Sequence, residues 1–260
     1  KKVLITEAVS DVGLNFLCEN GYELVIGTGP SEATLLKECP DCDGALTRNG
    51  KFTAQVFDAC PKLKVVSMHG IGVDGIDVDA ATARGIQVCN AAESNQRSVA
   101  EYAIGLILML AKQSVTYHNG LKNGKMMDVR KVYGSDVSGK TLGIIGMGNI
   151  GTQVARMAAH GLGMNVIGYS RRITKEQKMD FGVLTPDMKL VISSADYLSL
   201  HLPGSGSTQK LLSAEKLSWM KSSAFLINTG RGEVIDESAL IQMLQEKRLR
   251  GAALDVFEGN

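Results

Sequence analysis

Leu142-Gly143-Ile144-Ile145-Gly146-Met147-Gly148-Asn149-Ile150-Gly151 joins a short apolar run to a glycine-punctuated turn, and a helical stretch follows to about His160. A strand that feeds a G-x-G-x-x-G turn and then a helix is the context a dinucleotide fingerprint requires. Gly146 permits the tight turn, Gly148 lets the backbone approach a pyrophosphate, and Gly151 lets the helix pack against the strand, while the N–H groups of Asn149 and Ile150 face the anion. Glycines also serve ordinary turns, so the weight rests on context: a strand before, a helix after, and a second strand, Asn165–Tyr169, arriving on time.

Outward from that turn, short apolar runs alternate with helical stretches in both directions, the pattern of parallel sheets with crossover helices. Downstream the expected strands are Tyr197–Leu200, Ala224–Asn228 and Gly251–Asp255, with helices near Pro186–Ser193, Ser213–Met220 and Glu237–Glu246. Upstream a separate series has strands at Val3–Thr6, Glu23–Ile26, Gly44–Leu46, Lys64–Ser67 and Ile86–Val88, with helices near Val12–Glu19, Glu32–Glu38 and Ala54–Ala59. Asp79 is placed as the cap of a further short helix that Gly85 ends in a left-handed conformation. Apolar residues at helical spacing from Ser98 to about Lys122 predict one long helix bridging two lobes, and the polar, glycine-punctuated residues Gly120 to Gly139 a surface connection. Two lobes also suit a length of 260 residues.

Composition excludes several classes. The 28 basic residues are nearly matched by 27 acidic ones scattered along the chain, so there is no basic stripe for a nucleic acid. No apolar run reaches the length of a membrane span; Ile104 to Leu110 is interrupted by Gly105 and soon followed by Lys112, which reads as a buried helix of a soluble protein. Five cysteines, an odd number, argue against a disulfide framework and for a reducing, cytoplasmic compartment. Cys39-Pro40-Asp41-Cys42 has redox-motif spacing, but no second Cys or His pair follows at metal-ligand spacing, so no metal site is expected.

A dinucleotide unit that prefers NAD places an Asp or Glu at the end of its second strand, where the carboxylate accepts hydrogen bonds from the ribose 2′-hydroxyl. Here that strand ends Tyr169-Ser170-Arg171-Arg172. A hydroxyl and two guanidinium groups suit a 2′-phosphate, so NADP is the favoured cofactor, with NAD use left open.

Several further segments carry a family resemblance: His69-Gly70-Ile71-Gly72-Val73-Asp74, Ser94-Asn95-Gln96-Arg97-Ser98-Val99-Ala100-Glu101, the glycine turn, His201-Leu202-Pro203, Asn228-Thr229-Gly230-Arg231-Gly232 and Gly251-Ala252-Ala253-Leu254-Asp255-Val256-Phe257. In order and context they make the whole chain resemble the D-isomer-specific 2-hydroxyacid dehydrogenases, which include phosphoglycerate dehydrogenase and glyoxylate or hydroxypyruvate reductases. The resemblance implies an α/β fold of two Rossmann-like doubly wound parallel-sheet lobes. A flavodoxin-like substrate domain would occupy residues 1–95 and an NAD(P)-binding domain residues 96–260. It implies that Arg231 binds a 2-oxo acid's carboxylate and polarises the carbonyl that receives the hydride. Gly70, Ile71 and Gly72 would offer backbone N–H groups to the same carboxylate, and Arg48 is a further candidate substrate contact. Asp255 would contact the nicotinamide carboxamide, with His201, Pro203, Thr208 and Thr229 beside the rest of the cofactor. The family habit of pairing cofactor domains implies a homodimer to which the Ser98–Lys122 segment contributes.

Family chemistry also needs a His that moves the hydroxyl proton and a Glu that holds it. His69, His118, His160 and His201 all stand at positions unlike the catalytic one, and the matching His would follow residue 260. The orienting Glu aligns with Asn260, with Glu258 two positions early. The expectation is a C-terminally truncated chain that binds cofactor and turns over poorly or not at all. Glyoxylate or hydroxypyruvate reduction is favoured. NAD-dependent oxidation of D-3-phosphoglycerate is the alternative within the enzyme class, and a non-catalytic dinucleotide sensor or corepressor the alternative outside it.

Overall fold

The computed structural model describes residues 1–204 and 206–259. The chain divides into two compact units, Lys1–Asn95 and Gln96–Asn260.

In unit 1, β1 (Lys2–Ile5), α1 (Asp11–Glu19), β2 (Glu23–Ile26), α2 (Glu32–Glu38), β3 (Gly44–Thr47), α3 (Ala54–Ala59), β4 (Val65–Met68), α4 (Val78–Ala83) and β5 (Gln87–Asn90) alternate as the apolar runs dictate. All five strands are parallel, in the order β2-β1-β3-β4-β5, the flavodoxin-like arrangement. Ser31 and Thr53 accept the third backbone N–H of α2 and α3, satisfying donors the helix cannot. The cap of α4 is Asp77, not Asp79: the Asp77 carboxylate accepts the Ala80 N–H at 2.9 Å, and Asp79 falls within the first turn. Either acid complements the helix dipole, but only the one three residues before a free N–H can cap it. Gly85 takes φ +67°, closing that helix in the left-handed region. Leu4, Leu35, Phe52, Val56, Phe57 and Val66 fill the core with Cys39, Cys42 and Cys60, so the Cys39/Cys42 pair is packing. All five cysteines are free thiols, and among the described residues no cluster of His, Cys, Asp or Glu could hold a metal ion.

Unit 2 opens with α5 (Gln96–Ala111), α6 (Ser114–Lys122) and α7 (Met126–Val129). The single helix expected over 98–122 is therefore two, bent by 64°, and both lie in this unit. The break is Gln113, at φ +54°; its N–H and side-chain amide both donate to the Leu110 carbonyl, at 3.3 and 3.1 Å. A left-handed residue ends the ladder while the side chain satisfies a carbonyl the helix has abandoned. Apolar periodicity cannot reveal this, because the period resumes beyond the bend. Short α7 likewise interrupts the expected surface connection. Among the described residues no single helix is long and apolar enough to cross a membrane.

There follow β6 (Thr141–Ile145), α8 (Asn149–Arg156) with a π turn at Met157–Gly161, β7 (Asn165–Tyr169), β8 (Gln177–Met179), β9 (Gly182–Thr185), α9 (Met188–Ser194), β10 (Tyr197–Leu200), α10 (Ala214–Leu217), β11 (Phe225–Asn228), α11 (Glu237–Gln245) and β12 (Gly251–Leu254). The sheet order is β12-β11-β10-β6-β7-β9-β8, with only β8 antiparallel. Without β8 this is the doubly wound dinucleotide-binding order, and the winding reverses between β6 and β10. The β8/β9 hairpin was not expected from sequence, since the β8 residues Gln177-Lys178-Met179 are all exposed and carry no alternation. One layer of side chains, including Ala103, Ile107, Leu142, Ile144 and Val154, covers one face of the sheet. A second, including Ile145, Val191, Leu198, Leu226 and Leu240, covers the other. Burial on both faces explains why β10 and β11 are fully buried and mostly apolar, with Ser199 and Asn228 as their polar residues.

Candidate cofactor site at the switch point of the second sheet

Strand register sets the site. Tyr169, Ile145, Leu200, Asn228 and Leu254 pair across β7, β6, β10, β11 and β12. The next residue on each strand, Ser170, Gly146, His201, Thr229 and Asp255, therefore forms one row along the carboxyl edge. The His201 N–H donates to the Ile145 carbonyl at 2.9 Å and the Asp255 N–H to that of Asn228 at 3.0 Å. Four interstrand gaps of about 4.8 Å make the row roughly 19 Å long, room for an extended ligand laid across five strands.

Midway along it, the three glycines of the turn serve different ends. Gly146 has φ +104°, and a Cβ there would stand 2.4 Å from the His201 carbonyl oxygen. A Cβ on Gly151 would stand 2.2 Å from the Gly146 oxygen, so that glycine lets α8 close on the turn. Around Gly148 a Cβ would meet nothing within 4 Å, and its backbone is extended, at φ −89° and ψ −159°. Gly148 caps α8 without a side chain to offer, so the first-turn N–H groups of Asn149 and Ile150 keep donors that the helix leaves unpaired, at its positive end. Crowded backbone behind and open space in front fit a diphosphate. Gly168 was missed: a Cβ there would stand 2.7 Å from the Met147 sulfur, so its absence seats the side chain that anchors the turn on β7. A glycine inside a strand was the available signal.

At the end of β7 the Ser170 hydroxyl accepts the Arg172 N–H at 3.3 Å, and Arg171 and Arg172 are exposed. His201 is held through Nε2 by the Ser199 hydroxyl at 2.9 Å and through Nδ1 by the Thr229 hydroxyl at 3.3 Å. Burial of the ring pushes its pKa down to about 4, so the imidazole is neutral at pH 7. Unfolding restores an ordinary histidine near 6.5, so the unfolded chain binds the extra proton between pH 6.5 and 4, and stability falls as pH drops through that window. Between pH 7 and pH 5 the loss attributable to His201 should be about 2 kcal/mol. Urea unfolding at both pH values should give a smaller difference in His201→Gln, and an unchanged difference would refute the assignment.

Thr208 is buried and its hydroxyl donates to the Pro203 carbonyl at 2.7 Å, bracing the loop after β10. At the end of β11 the fully buried Asn228 plays a part that its place in a motif did not reveal. Its Nδ2 donates to the Arg231 carbonyl at 2.9 Å and its Oδ1 accepts the Gly230 N–H at 3.0 Å. The loop that presents Arg231 is thus fastened from inside. Half-buried Arg231 donates from Nη1 to the Gly230 carbonyl at 2.9 Å. A Cβ on Gly232 would stand 2.0 Å from the Phe257 backbone, so the chain following β12 crosses directly behind the arginine.

Within unit 1, Arg48 and the Gly70-Ile71-Gly72 loop follow the carboxyl ends of β3 and β4. Neither Gly70 nor Gly72 has a positive φ; a Cβ at Gly70 would enter open space. The Ile71 carbonyl accepts from Asn90 Nδ2 at 2.7 Å. His69, His118 and His160 are exposed. Asn260, the position aligned with the His-orienting acid, lies outside the described residues.

Comparison with known proteins agrees with this architecture. Residues 104–260 match the family model described as D-isomer specific 2-hydroxyacid dehydrogenase, NAD binding domain. D-3-phosphoglycerate dehydrogenase of Methanocaldococcus jannaschii is 40% identical over 259 residues, covering 99% of this chain and 49% of that protein. The chain spans about half the length of the curated relatives it matches. A crystal structure of a Thermus thermophilus protein superposes with a TM-score of 0.91 at 32% identity, over 100% of this chain and 83% of that one. The NADPH-dependent glyoxylate/hydroxypyruvate reductase of Sinorhizobium meliloti, in complex with NADP and malonate, gives 0.86 at 32%, over 100% and 81%. With the family model matching more than half of its residues, the chain belongs to the D-isomer specific 2-hydroxyacid dehydrogenase family.

Proposed function

We propose that this protein exchanges a hydride between NADP(H) and a small 2-oxo or D-2-hydroxy acid, with glyoxylate or hydroxypyruvate reduction favoured. The observation that carries the cofactor choice is the end of β7, where Ser170, Arg171 and Arg172 stand in place of a carboxylate. When bound, the nicotinamide ring supplies or accepts the hydride. The N–H groups of Asn149 and Ile150, with the open approach at Gly148, donate hydrogen bonds to the diphosphate, and the Ser170 hydroxyl and both guanidinium groups hold a 2′-phosphate. His201, Pro203, Thr208 and Thr229 form an uncharged wall, and the Asp255 carboxylate accepts from the carboxamide. Arg231 binds the substrate carboxylate and draws electron density from the carbonyl; on unit 1, Arg48 and the Gly70-Ile71-Gly72 backbone bind the same class of anion.

NADPH is expected to bind at least about tenfold more tightly than NADH, and Arg171→Ala with Arg172→Ala to erase that difference by weakening NADPH alone. Fluorescence titration of both cofactors tests this, and a tenfold NADH preference would overturn it. D-3-phosphoglycerate oxidation is a second reading, favoured by the 40% identity to a D-3-phosphoglycerate dehydrogenase. Quenching of bound NADPH by hydroxypyruvate against its phosphorylated analogue separates the two. Five free thiols support a reducing, cytoplasmic setting. Exposed Tyr102, Met109, Val115 and Leu121 on α5 and α6 support a homodimer.

A further inference from the structure

In unit 1 one carboxylate ties together two segments that are about forty residues apart in sequence. Glu7 follows β1; its Oε2 accepts the backbone N–H of Arg48 at 3.0 Å and of Asn49 at 2.7 Å, and its Oε1 accepts from Asn49 Nδ2 at 2.8 Å. The Thr6 and Thr47 hydroxyls lie 2.8 Å apart behind it, and Thr47 Oγ1 accepts the Gly50 N–H at 2.8 Å. Burial by itself would raise the Glu7 carboxyl, but the bonds from Asn49, Arg48 and Thr6 outweigh it and hold the group below the usual glutamate range. The loop from 47 to 50 is thereby fixed at the carboxyl edge of the sheet, while the Arg48 residue remains exposed. Glu38 fastens Thr28 after β2 in a similar way, accepting its N–H at 3.1 Å and its hydroxyl at 2.6 Å, but that loop carries no cation.

We propose that Glu7 is a positioning residue for substrate: by anchoring the Arg48 and Asn49 amides it holds the Arg48 guanidinium where a 2-oxo acid's carboxylate can use it. The role rests on the functional reading above, in which Arg48 contacts the substrate. A charged acceptor for two consecutive N–H groups is stronger than a neutral one, and glutamine would turn one of its two ends into a donor facing donors.

The test is glyoxylate titration of the NADPH-bound protein. Glu7→Gln should weaken glyoxylate binding about tenfold with NADPH affinity unchanged, and Glu38→Gln should alter neither. In an Arg48→Met background Glu7→Gln should have no further effect, since a residue acting through Arg48 has nothing left to position. Should Glu7→Gln fail to fold, Glu7→Asp, which keeps the charge on a shorter arm, is judged by the same criteria with a smaller loss. Equal losses of glyoxylate and NADPH affinity, no loss at all, or an undiminished loss in the Arg48→Met background would each overturn the role. A wild-type protein that binds NADPH but ignores every 2-oxo acid would instead remove the functional reading, and the role of Glu7 with it.

Discussion

Gly146→Ala is expected to abolish measurable NADPH binding and to destabilise the protein by about 3–5 kcal/mol. The new Cβ would meet the His201 carbonyl at 2.4 Å, where backbone rather than a yielding side chain stands in the way. It would also have to adopt φ +104°, outside the comfortable range of any L residue. Gly148→Ala is the matched contrast. Nothing lies within 4 Å of the added methyl and the backbone is already extended, so the midpoint of thermal unfolding without cofactor should stay within a degree or two. Its dissociation constant for NADPH should nonetheless rise about a hundredfold, because the methyl occupies the approach of the diphosphate. Thermal unfolding of the apo proteins combined with cofactor titration separates a glycine needed by the fold from one needed by the ligand. Unweakened binding in Gly148→Ala would remove the phosphate site from this turn.

Arg231→Met should lower 2-oxo-acid binding, and kcat/KM where turnover is measurable, by on the order of 10²–10³-fold, leaving NADPH affinity within about twofold. Arg231 lies on a loop that Asn228 fastens from the buried side through backbone groups, so removing the guanidinium leaves the loop's own bonds in place. Lysine should recover little, since a point charge cannot reproduce a two-pronged contact with a carboxylate. Cofactor titration, then glyoxylate titration of the cofactor-bound variant, measures both quantities. Parallel loss of the two affinities would mean that Arg231 supports the loop instead of the substrate.

Most strands were legible because a parallel sheet buried on both faces demands mostly apolar runs, and β10 and β11, with one polar residue each, supply them. The glycine turn was legible because its constraint is local: a strand, a left-handed residue and a helix start within ten residues. Features that leave the apolar pattern unchanged were misread. Asp77 and Asp79 are equally good caps by composition, and only the helix start selects one. Gln113 breaks a helix through one side-chain bond, and β8 is held by pairing with β9 rather than by any apolar face.

The order of amino acids was enough to specify the two α/β series, the glycine turn after β6 and the basic end of β7, all of which follow from neighbours a few residues apart. Folding in three dimensions was needed to show that Ser170, Gly146, His201, Thr229 and Asp255 share one row, that Asn228 steadies Arg231, and that Glu7 grips the Arg48 loop. Those facts depend on strand register and on hydrogen bonds between segments brought together by folding, and no periodicity along a chain encodes which strand will lie beside which.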